Sequence, residues 1–408
     1  MFAPGNQGDL FVTHVLFTHV RPHGGTLCDL LVTDGRIVAV DPATPPADAL
    51  VVDGDGALAL PSPVDAHIHP DKSTWGQPWV SRDPAETLLE LIDGDVALRM
   101  RMTASVEERA GALMAHAVSR GTRAMRAHCD VAPVYGLSNV HGVRAAAESL
   151  GDVLDVQIVA FPQLGLLARP GTADLIEQSL KEGADIIGGL DPVGIDGDLH
   201  GHLDVLFGIS ERTGAPIDIH LHDRGRPGLD QVAEIARRTA EAGMHGKVTI
   251  SHVFCLDGCD EAELTDVANL LTEAGVALAT CALGSEPVIP IPPLRERGVL
   301  VAAGSDGVRD AWTPFGDGDM IARAHLLAYR TDARTDAELE ACYTVVAHHG
   351  ADLLGLERAD LRVGDPADFV LVRGESVAQV VVDHPVPELV VRAGKIVARA
   401  GRLERAPR

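Results

Sequence analysis

Hydrophobic positions follow one pattern at the two ends of the chain and another in the middle. Near the N-terminus, short alternating or β-branched runs separated by turn residues predict the strands Leu10–Thr18, Cys28–Val32, Gly35–Val40, Ala49–Val52 and Ala57–Leu60. Similar runs return near the C-terminus over Ala367–Arg373, Leu389–Ala393 and Ile396–Ala400. Neither set has enough strands to cover an apolar face alone. We therefore expect residues 1–60 and 362–408 to form one small β-sandwich domain.

In the middle of the chain, buried strands alternate with amphipathic helical stretches, which is typical of a parallel βα architecture. The predicted strands are Leu58–Ala66, Thr122–His128, Val153–Phe161, Asp185–Leu190, Ile217–His220, Lys247–His252, Val276–Cys281 and Leu300–Ser305. The clearest predicted helices are Val106–Ser119, Thr172–Glu182, Gln231–Ala242 and Glu261–Ala274. Eight such units predict an α/β fold with a (β/α)8 TIM-type barrel over residues 61–361. The long segment Ser73–Met102, here called the lid segment, predicts a lid or an inserted helix at the barrel mouth.

Side chains that can bind a metal, transfer a proton or form hydrogen bonds with a substrate lie at the carboxyl ends of the predicted barrel strands. Active sites of such barrels are built at this end. In chain order these residues are His67, His69, His128, Gln163, Asp191, His220, His252, Cys281 and Asp306. A single histidine on an apolar strand is more often a satisfied core residue. A whole series at successive strand ends instead predicts one shared pocket.

The spacing of the first two histidines predicts a metal site. His67 and His69 are two residues apart on a strand, so both imidazoles point to the same face. With His220 and Asp306 they offer three nitrogens and one carboxylate, a set suited to one catalytic Zn²⁺ or Fe²⁺ ion with an open position for water. Only four lysines occur in the chain, and the nearest to the predicted fourth strand is Lys181, in the preceding helix.

Composition and charge narrow the function further. The chain has 408 residues, with 34 Lys+Arg against 59 Asp+Glu and a formal net charge of −25. Such an acidic surface would repel a phosphate backbone, so we expect neither nucleic acid nor a membrane as a partner. Six scattered cysteines and no recognisable signal peptide predict reduced thiols in a cytoplasmic protein.

Several stretches resemble the amidohydrolase superfamily and, within it, the cytosine deaminase branch. They are Asp65–Ser73 (DAHIHPDKS), His128–Val131 (HCDV), Gln157–Gln163 (QIVAFPQ), Gly188–Pro192 (GGLDP), Asp218–Gly225 (DIHLHDRG), Ser251–Val253 (SHV) and Ser305–Met320 (SDGVRDAWTPFGDGDM). The motifs are most similar to the N-isopropylammelide isopropylaminohydrolases of that branch. Asp223 follows their His-Asp-x-Gly pattern, and Gly307 stands where cytosine deaminases carry a second aspartate.

The resemblance implies a role for each matching position. It assigns the metal to His67, His69, His220 and Asp306, with His252 and Asp306 handling the proton of the attacking water. Asp223 would be the proton shuttle, and Gln163 would recognise an amide group of the substrate ring by hydrogen bonding. Lys72, Trp312, His128 and Asp191 are further candidates for substrate contact or support. Family members are usually homo-oligomers, which we expect here by analogy.

The predicted function is metal-dependent hydrolysis of an exocyclic C–N bond on a pyrimidine- or triazine-like heterocycle, releasing ammonia or a small amine. The alternative enzyme reaction is ring opening at a cyclic amide bond. An alternative of another class is a catalytically silent barrel that serves as a scaffold.

Overall fold

The computed structural model describes residues 14–82, 84 and 88–404. In chain order, the strands are β1 (His14–Pro22), β2 (Cys28–Thr33), β3 (Arg36–Val40), β4 (Leu50–Asp53), β5 (Leu58–Pro61), β6 (Val64–Ile68), β7 (Ala124–Asp130), β8 (Asp155–Phe161), β9 (Ile186–Leu190), β10 (Ile217–Leu221), β11 (Val248–His252), β12 (Val276–Thr280), β13 (Val301–Ala303), β14 (Phe369–Val372), β15 (Leu389–Arg392), β16 (Lys395–Arg399) and β17 (Arg402–Leu403). They form a parallel barrel and a separate sheet, which confirms the predicted α/β class.

Helices cover the barrel and connect its strands. In chain order they are α1 (Leu88–Arg101), α2 (Val106–Ser119), α3 (Ser138–Leu150), α4 (Thr172–Ser179), α5 (Leu199–Thr213), α6 (Gly225–Glu241), α7 (Glu261–Ala274), α8 (Ile291–Glu296), α9 (Met320–Arg330), α10 (Asp336–Val346), α11 (His348–Leu353) and α12 (Val377–Asp383). Among the described residues, no helix is both long and apolar enough to cross a membrane.

Strands from both ends of the chain share the separate sheet. Its order is β17-β16-β15-β14-β5-β1-β2-β3, with β4 added beside β1. Antiparallel pairing of β5 with β14 joins the two ends, for example at Leu60 and Val370. The buried rings of Phe17 and Phe369 meet edge to face at 5.0 Å. That residues 1–60 and 362–408 form a domain of their own stays a prediction.

The first strand differs from its predicted bounds. Residues 10–13 of the predicted strand Leu10–Thr18 lie outside the described residues, and β1 continues to Pro22. A register shift falls between Phe17 and Val20, where His19 has φ 53°. The bulge lets β1 pair first with β4 and then, from Arg21, with β5.

The barrel consists of β6 to β13 in sequence order, all parallel. Its first and last strands meet through a bridge between Ile68 and Asp306. The Asp306 amide donates to the His67 carbonyl at 2.8 Å, and the His69 amide donates to the Asp306 carbonyl at 3.2 Å. A Cβ at Gly304 would lie only 2.4 Å from the backbone of His67, so a residue without a side chain is required for this close approach.

The prediction of a single barrel strand over Leu58–Ala66 is wrong. The segment forms two strands, because Pro61 and Pro63 lack the N–H groups that a continuous ladder needs. The first part, β5, belongs to the separate sheet, and only β6 enters the barrel. The bounds of the other seven barrel strands agree with prediction to within two residues.

Two helix bounds also differ from prediction. Helix α6 begins at Gly225, six residues before the predicted start at Gln231, because Pro227 in the first turn needs no hydrogen-bond partner for its nitrogen. Helix α4 ends at Ser179 rather than Glu182, and Gly183 follows with φ 115°.

Candidate active site

The predicted metal ligands come together at the carboxyl ends of β6, β10 and β13. Nε2 of His69 lies 3.2 Å from Nε2 of His220 and 3.3 Å from Oδ1 of Asp306. Nε2 of His67 lies 3.7 Å from the same oxygen of Asp306. All three imidazoles are buried. Four side chains from three separate strands thus point at one small volume.

The separations between neighbouring ligand atoms can be compared with those of a tetrahedral metal shell. Ligand atoms about 2.0–2.1 Å from a zinc ion would lie about 3.3–3.4 Å from one another. Three of the six separations among the four ligand atoms, 3.2, 3.3 and 3.7 Å, are close to that edge length. Within the described part of the chain, Nε2 of His67 has no hydrogen-bond partner although it is buried. The donor set and its geometry therefore fit a divalent cation.

Two more histidines, His128 and His252, belong to the cluster. The His128 ring lies 3.9 Å from the His67 ring, and the His252 ring lies 5.0 Å from that of His220, measured between centroids. Burial, the largest cause, lowers the pKa of His252 to about 3. Burial likewise holds the pKa values of His67, His128 and His220 well below the ordinary value. These four imidazoles are therefore neutral at pH 7, the form in which histidine binds a metal or accepts a proton.

Three residues at these strand ends have a strained backbone. Asp191, His252 and Asp306 have φ values of 35°, 74° and 61°, in the left-handed region that side chains other than glycine seldom adopt. Each such residue costs on the order of 1–3 kcal/mol and persists because its surroundings hold it there. The fold thus positions these side chains at a cost in stability, as active sites often do.

On the other side of the cluster, Lys72 and Gln163 form a polar pair. The Lys72 Nζ donates to Gln163 Oε1 at 2.6 Å and lies 3.3 Å from a carboxylate oxygen of Asp130. Because the amide oxygen of Gln163 faces the lysine, its N–H groups are left for another partner. The Lys72 Nζ also lies 5.9 Å from the ring of Trp312. The indole nitrogen of Trp312 is buried with no hydrogen-bond partner among the described residues.

Asp223 lies beyond the end of β10, at the start of the connection to α6. Its Oδ2 accepts hydrogen bonds from the Gly194 amide at 3.0 Å and from the Gln231 side chain at 2.8 Å. These bonds fix the carboxylate between the loop after β9 and helix α6. The structure brings Asp223 to the barrel mouth but not into the group of close metal-ligand atoms.

One residue of the cluster, His222, was missed in the sequence analysis. Its Nδ1 lies 2.8 Å from Oδ2 of Asp191, and its ring stacks on that of His252 with centroids 4.5 Å apart. Although burial opposes it, the hydrogen bond that the His222 ring donates to Asp191 raises the pKa of His222. The signal was present, since His220 and His222 repeat the two-residue spacing of His67 and His69.

Comparisons with known proteins identify the family of the chain. Residues 103–398 match the model of the family described as Amidohydrolase family. The chain is 31% identical to the N-isopropylammelide isopropyl amidohydrolase of Pseudomonas sp. (strain ADP), over 91% of this chain and 93% of that protein. It is 28% identical to the pterin deaminase of Rhizobium rhizogenes, over 95% of this chain and 92% of that protein.

A solved structure is also similar over nearly the whole chain. The N-isopropylammelide isopropylaminohydrolase of Burkholderia multivorans superposes with a TM-score of 0.92 at 41% sequence identity. The match covers 96% of this chain and 100% of that chain. The family match and these relatives agree with the barrel fold. The chain therefore belongs to the amidohydrolase family.

Proposed function

We propose that this hydrolase of carbon–nitrogen bonds removes an amino or alkylamino group from a ring carbon of a pyrimidine- or triazine-like heterocycle. The observation that carries the proposal is the adjacency of the neutral imidazole cluster and the Lys72–Gln163 pair at one barrel mouth. The activities stated in the names of the similar proteins, removal of an isopropylamino group from N-isopropylammelide and deamination of a pterin, support the same class of reaction.

In this proposal His67, His69, His220 and Asp306 hold one divalent cation. Zn²⁺ is the preferred ion and Fe²⁺ is the alternative. When bound, the cation lowers the pKa of water and so supplies a nucleophile at neutral pH. Metal centres bridged by a carboxylated lysine need that lysine at the end of the fourth strand, but β9 has the sequence IIGGL and Lys181 is exposed after α4. We therefore propose one ion per chain rather than two.

The Lys72–Gln163 pair is proposed to bind and orient the ring. The N–H groups of Gln163 can donate to a ring carbonyl or to an unprotonated ring nitrogen. Lys72 holds the amide in this orientation and adds positive charge beside a lactam oxygen. Trp312 offers an apolar face and an N–H donor at the same side, with His128 and Asp191 as supporting residues.

Proton transfer is assigned to His252 and Asp223. His252 is neutral at pH 7 because burial lowers its pKa, so it can accept a proton from the attacking water together with Asp306. That proton would pass to Asp223, which gives it to a ring nitrogen; the hydroxyl of the resulting tetrahedral adduct then supplies a second proton, which Asp223 gives to the departing amine as the C–N bond breaks. The Asp191–His222 pair beside His252 is a second path for a proton at the barrel mouth.

A release screen tests the proposal. The metal-loaded chain is incubated with cytosine, isocytosine, creatinine, ammelide and a series of N-alkylammelides, and both ammonia and free amine are measured. We expect turnover of at least one ring, absent in His220→Ala. Ring-opened product without released amine, or no turnover of any ring by a fully metal-loaded chain, would contradict it. The cytoplasmic location and the homo-oligomer also stay predictions, the latter testable by light scattering.

A further inference from the structure

A chain of buried hydrogen bonds runs from the candidate metal site down through the barrel interior. His67 Nδ1 lies 3.0 Å from Ser251 Oγ, and the Ser251 hydroxyl donates to Asp218 Oδ1 at 2.8 Å. Arg126 Nη1 donates to the other oxygen, Asp218 Oδ2, at 2.9 Å. His67, Ser251 and Asp218 are fully buried, and Arg126 is 5% exposed. The four side chains come from four strands, β6, β11, β10 and β7.

The far end of this chain is firmly held. Arg126 also donates to Thr249 Oγ1 at 3.0 Å, to Gln157 Oε1 at 3.2 Å and to the Leu353 carbonyl at 3.0 Å. An arginine has only donors and keeps its charge in proteins. Asp218 therefore faces Arg126 as an acceptor in a fixed position.

The direction of each bond follows from this fixed end. Both oxygens of Asp218 accept, one from Arg126 and one from the Ser251 hydroxyl. A hydroxyl has one hydrogen, so Ser251 Oγ can only accept from His67. His67 must then carry its proton on Nδ1. Its Nε2, which lies 3.7 Å from Asp306, keeps a free lone pair directed into the candidate metal site.

We infer that Asp218 and Ser251 are positioning residues that fix the tautomer of His67 and so prepare its Nε2 for a metal ion. The inference rests on the metal site proposed above. Groups behind a metal-bound histidine commonly set its tautomer and ring orientation, and replacing one typically costs about 10–100-fold in metal affinity. Here two residues in sequence, Ser251 and then Asp218, set the tautomer of His67 from the barrel interior.

Asp218→Asn is the sharpest variant because it should reverse the chain. The amide N–H₂ of the new residue would be repelled by the donors of Arg126 and would face Ser251, while the amide oxygen faced Arg126. Ser251 would then accept from the amide and donate to His67 Nδ1. That forces the proton of His67 onto Nε2, where it competes with the metal.

The experiment measures the Zn²⁺ dissociation constant by competition with a chelator, and the His67 tautomer from its ¹⁵N shifts in the metal-free, histidine-labelled chain. We expect Asp218→Asn to weaken Zn²⁺ binding by about 10–100-fold and to move the proton to Nε2. Ser251→Ala should weaken binding less, because it frees the ring without reversing it. Ser210→Ala is the matched control, since this buried hydroxyl donates to the Ala215 carbonyl, away from the chain of bonds.

The outcomes separate this inference from the metal site itself. If the wild-type chain binds no Zn²⁺ tightly, the proposed metal site fails. If it binds Zn²⁺ and Asp218→Asn retains both the wild-type affinity and the Nδ1–H tautomer, the positioning role is refuted and the metal site stands. Should Asp218→Asn not fold, Ser251→Ala decides: affinity and tautomer equal to those of Ser210→Ala would overturn the inference.

Discussion

Replacing Arg99 tests how buried charge holds the lid segment on the barrel. Arg99 on α1 has a side chain 5% exposed, and its guanidinium reaches three carboxylates. It lies 2.5 Å from Asp130, 3.2 Å from Asp71 and 3.3 Å from Asp95. Lys72 is the second cation beside this acidic group, 3.3 Å from Asp130. Arg99→Ala would leave three carboxylates facing one cation.

The size of the effect follows from this count of charges. Three carboxylates and two cations give a net charge of −1 in the native group, which becomes −2 in the variant. Removing one partner of a buried ion pair costs about 3–5 kcal/mol. Opening of α1 would let water reach the carboxylates, so the loss should appear as local opening of the lid segment. At about 1.4 kcal/mol per tenfold change, α1 should open roughly 10²–10⁴ times more often.

Hydrogen exchange of the amides in Leu88–Arg101 measures this opening directly. We expect faster exchange across α1 in Arg99→Ala, with the exchange of the barrel strands β10 and β11 changed far less. Arg101→Ala is the control, because Arg101 lies on the same helix and is exposed. Wild-type exchange of α1 in Arg99→Ala, or equal changes in the two variants, would refute the reasoning.

Three further predictions concern the site, a buried carboxyl and the separate sheet. Asp223→Asn should keep the metal and the fold yet lose about 10²–10⁴-fold in turnover, whereas His220→Ala should lose the metal; metal analysis beside rate measurement separates them. Burial raises the pKa of Asp319 to about 6, so the folded state binds its proton more tightly than the unfolded state and stability falls as pH rises from about 4 to 6. Asp319→Asn keeps an acceptor for the α9 amides but cannot ionise. The free energy of unfolding of this variant, measured by chemical denaturation relative to wild type, should therefore rise across that pH range by up to about 3 kcal/mol. A difference that does not change with pH would contradict this. Deleting residues 362–408 removes the partner strand of β5, so amides over residues 14–60 should exchange faster, and full protection there would argue against a shared sheet core.

The positions of the site residues could be predicted because they depend on a local pattern. Each parallel strand is a short apolar run, and the residue that follows it must lie at the same end of the barrel. His67, His128, His220 and His252 were therefore correctly brought together from sequence alone. The same pattern extends to His222, whose two-residue spacing from His220 repeats that of His67 and His69.

Other features depend on contacts that no local pattern encodes. Arg126 and Asp218 stand in apolar strands, and only the closed barrel shows that they meet each other. Arg99 meets Asp71 and Asp130 across intervals of 28 and 31 residues, through a segment whose periodicity predicts a helix at most. The break between β5 and β6 was readable from its prolines, but which sheet each half joins is decided by β14, about 300 residues later.

The closure of the barrel at Asp306 has a consequence for biosynthesis. The same residue joins the last strand to the first through its backbone and directs its carboxylate toward His67 and His69. A nascent chain that has not yet released this residue from the ribosome can neither close the ring nor complete the set of four side chains. A divalent cation held by these four side chains would therefore bind only after the barrel has closed, so its binding would mark the end of barrel assembly.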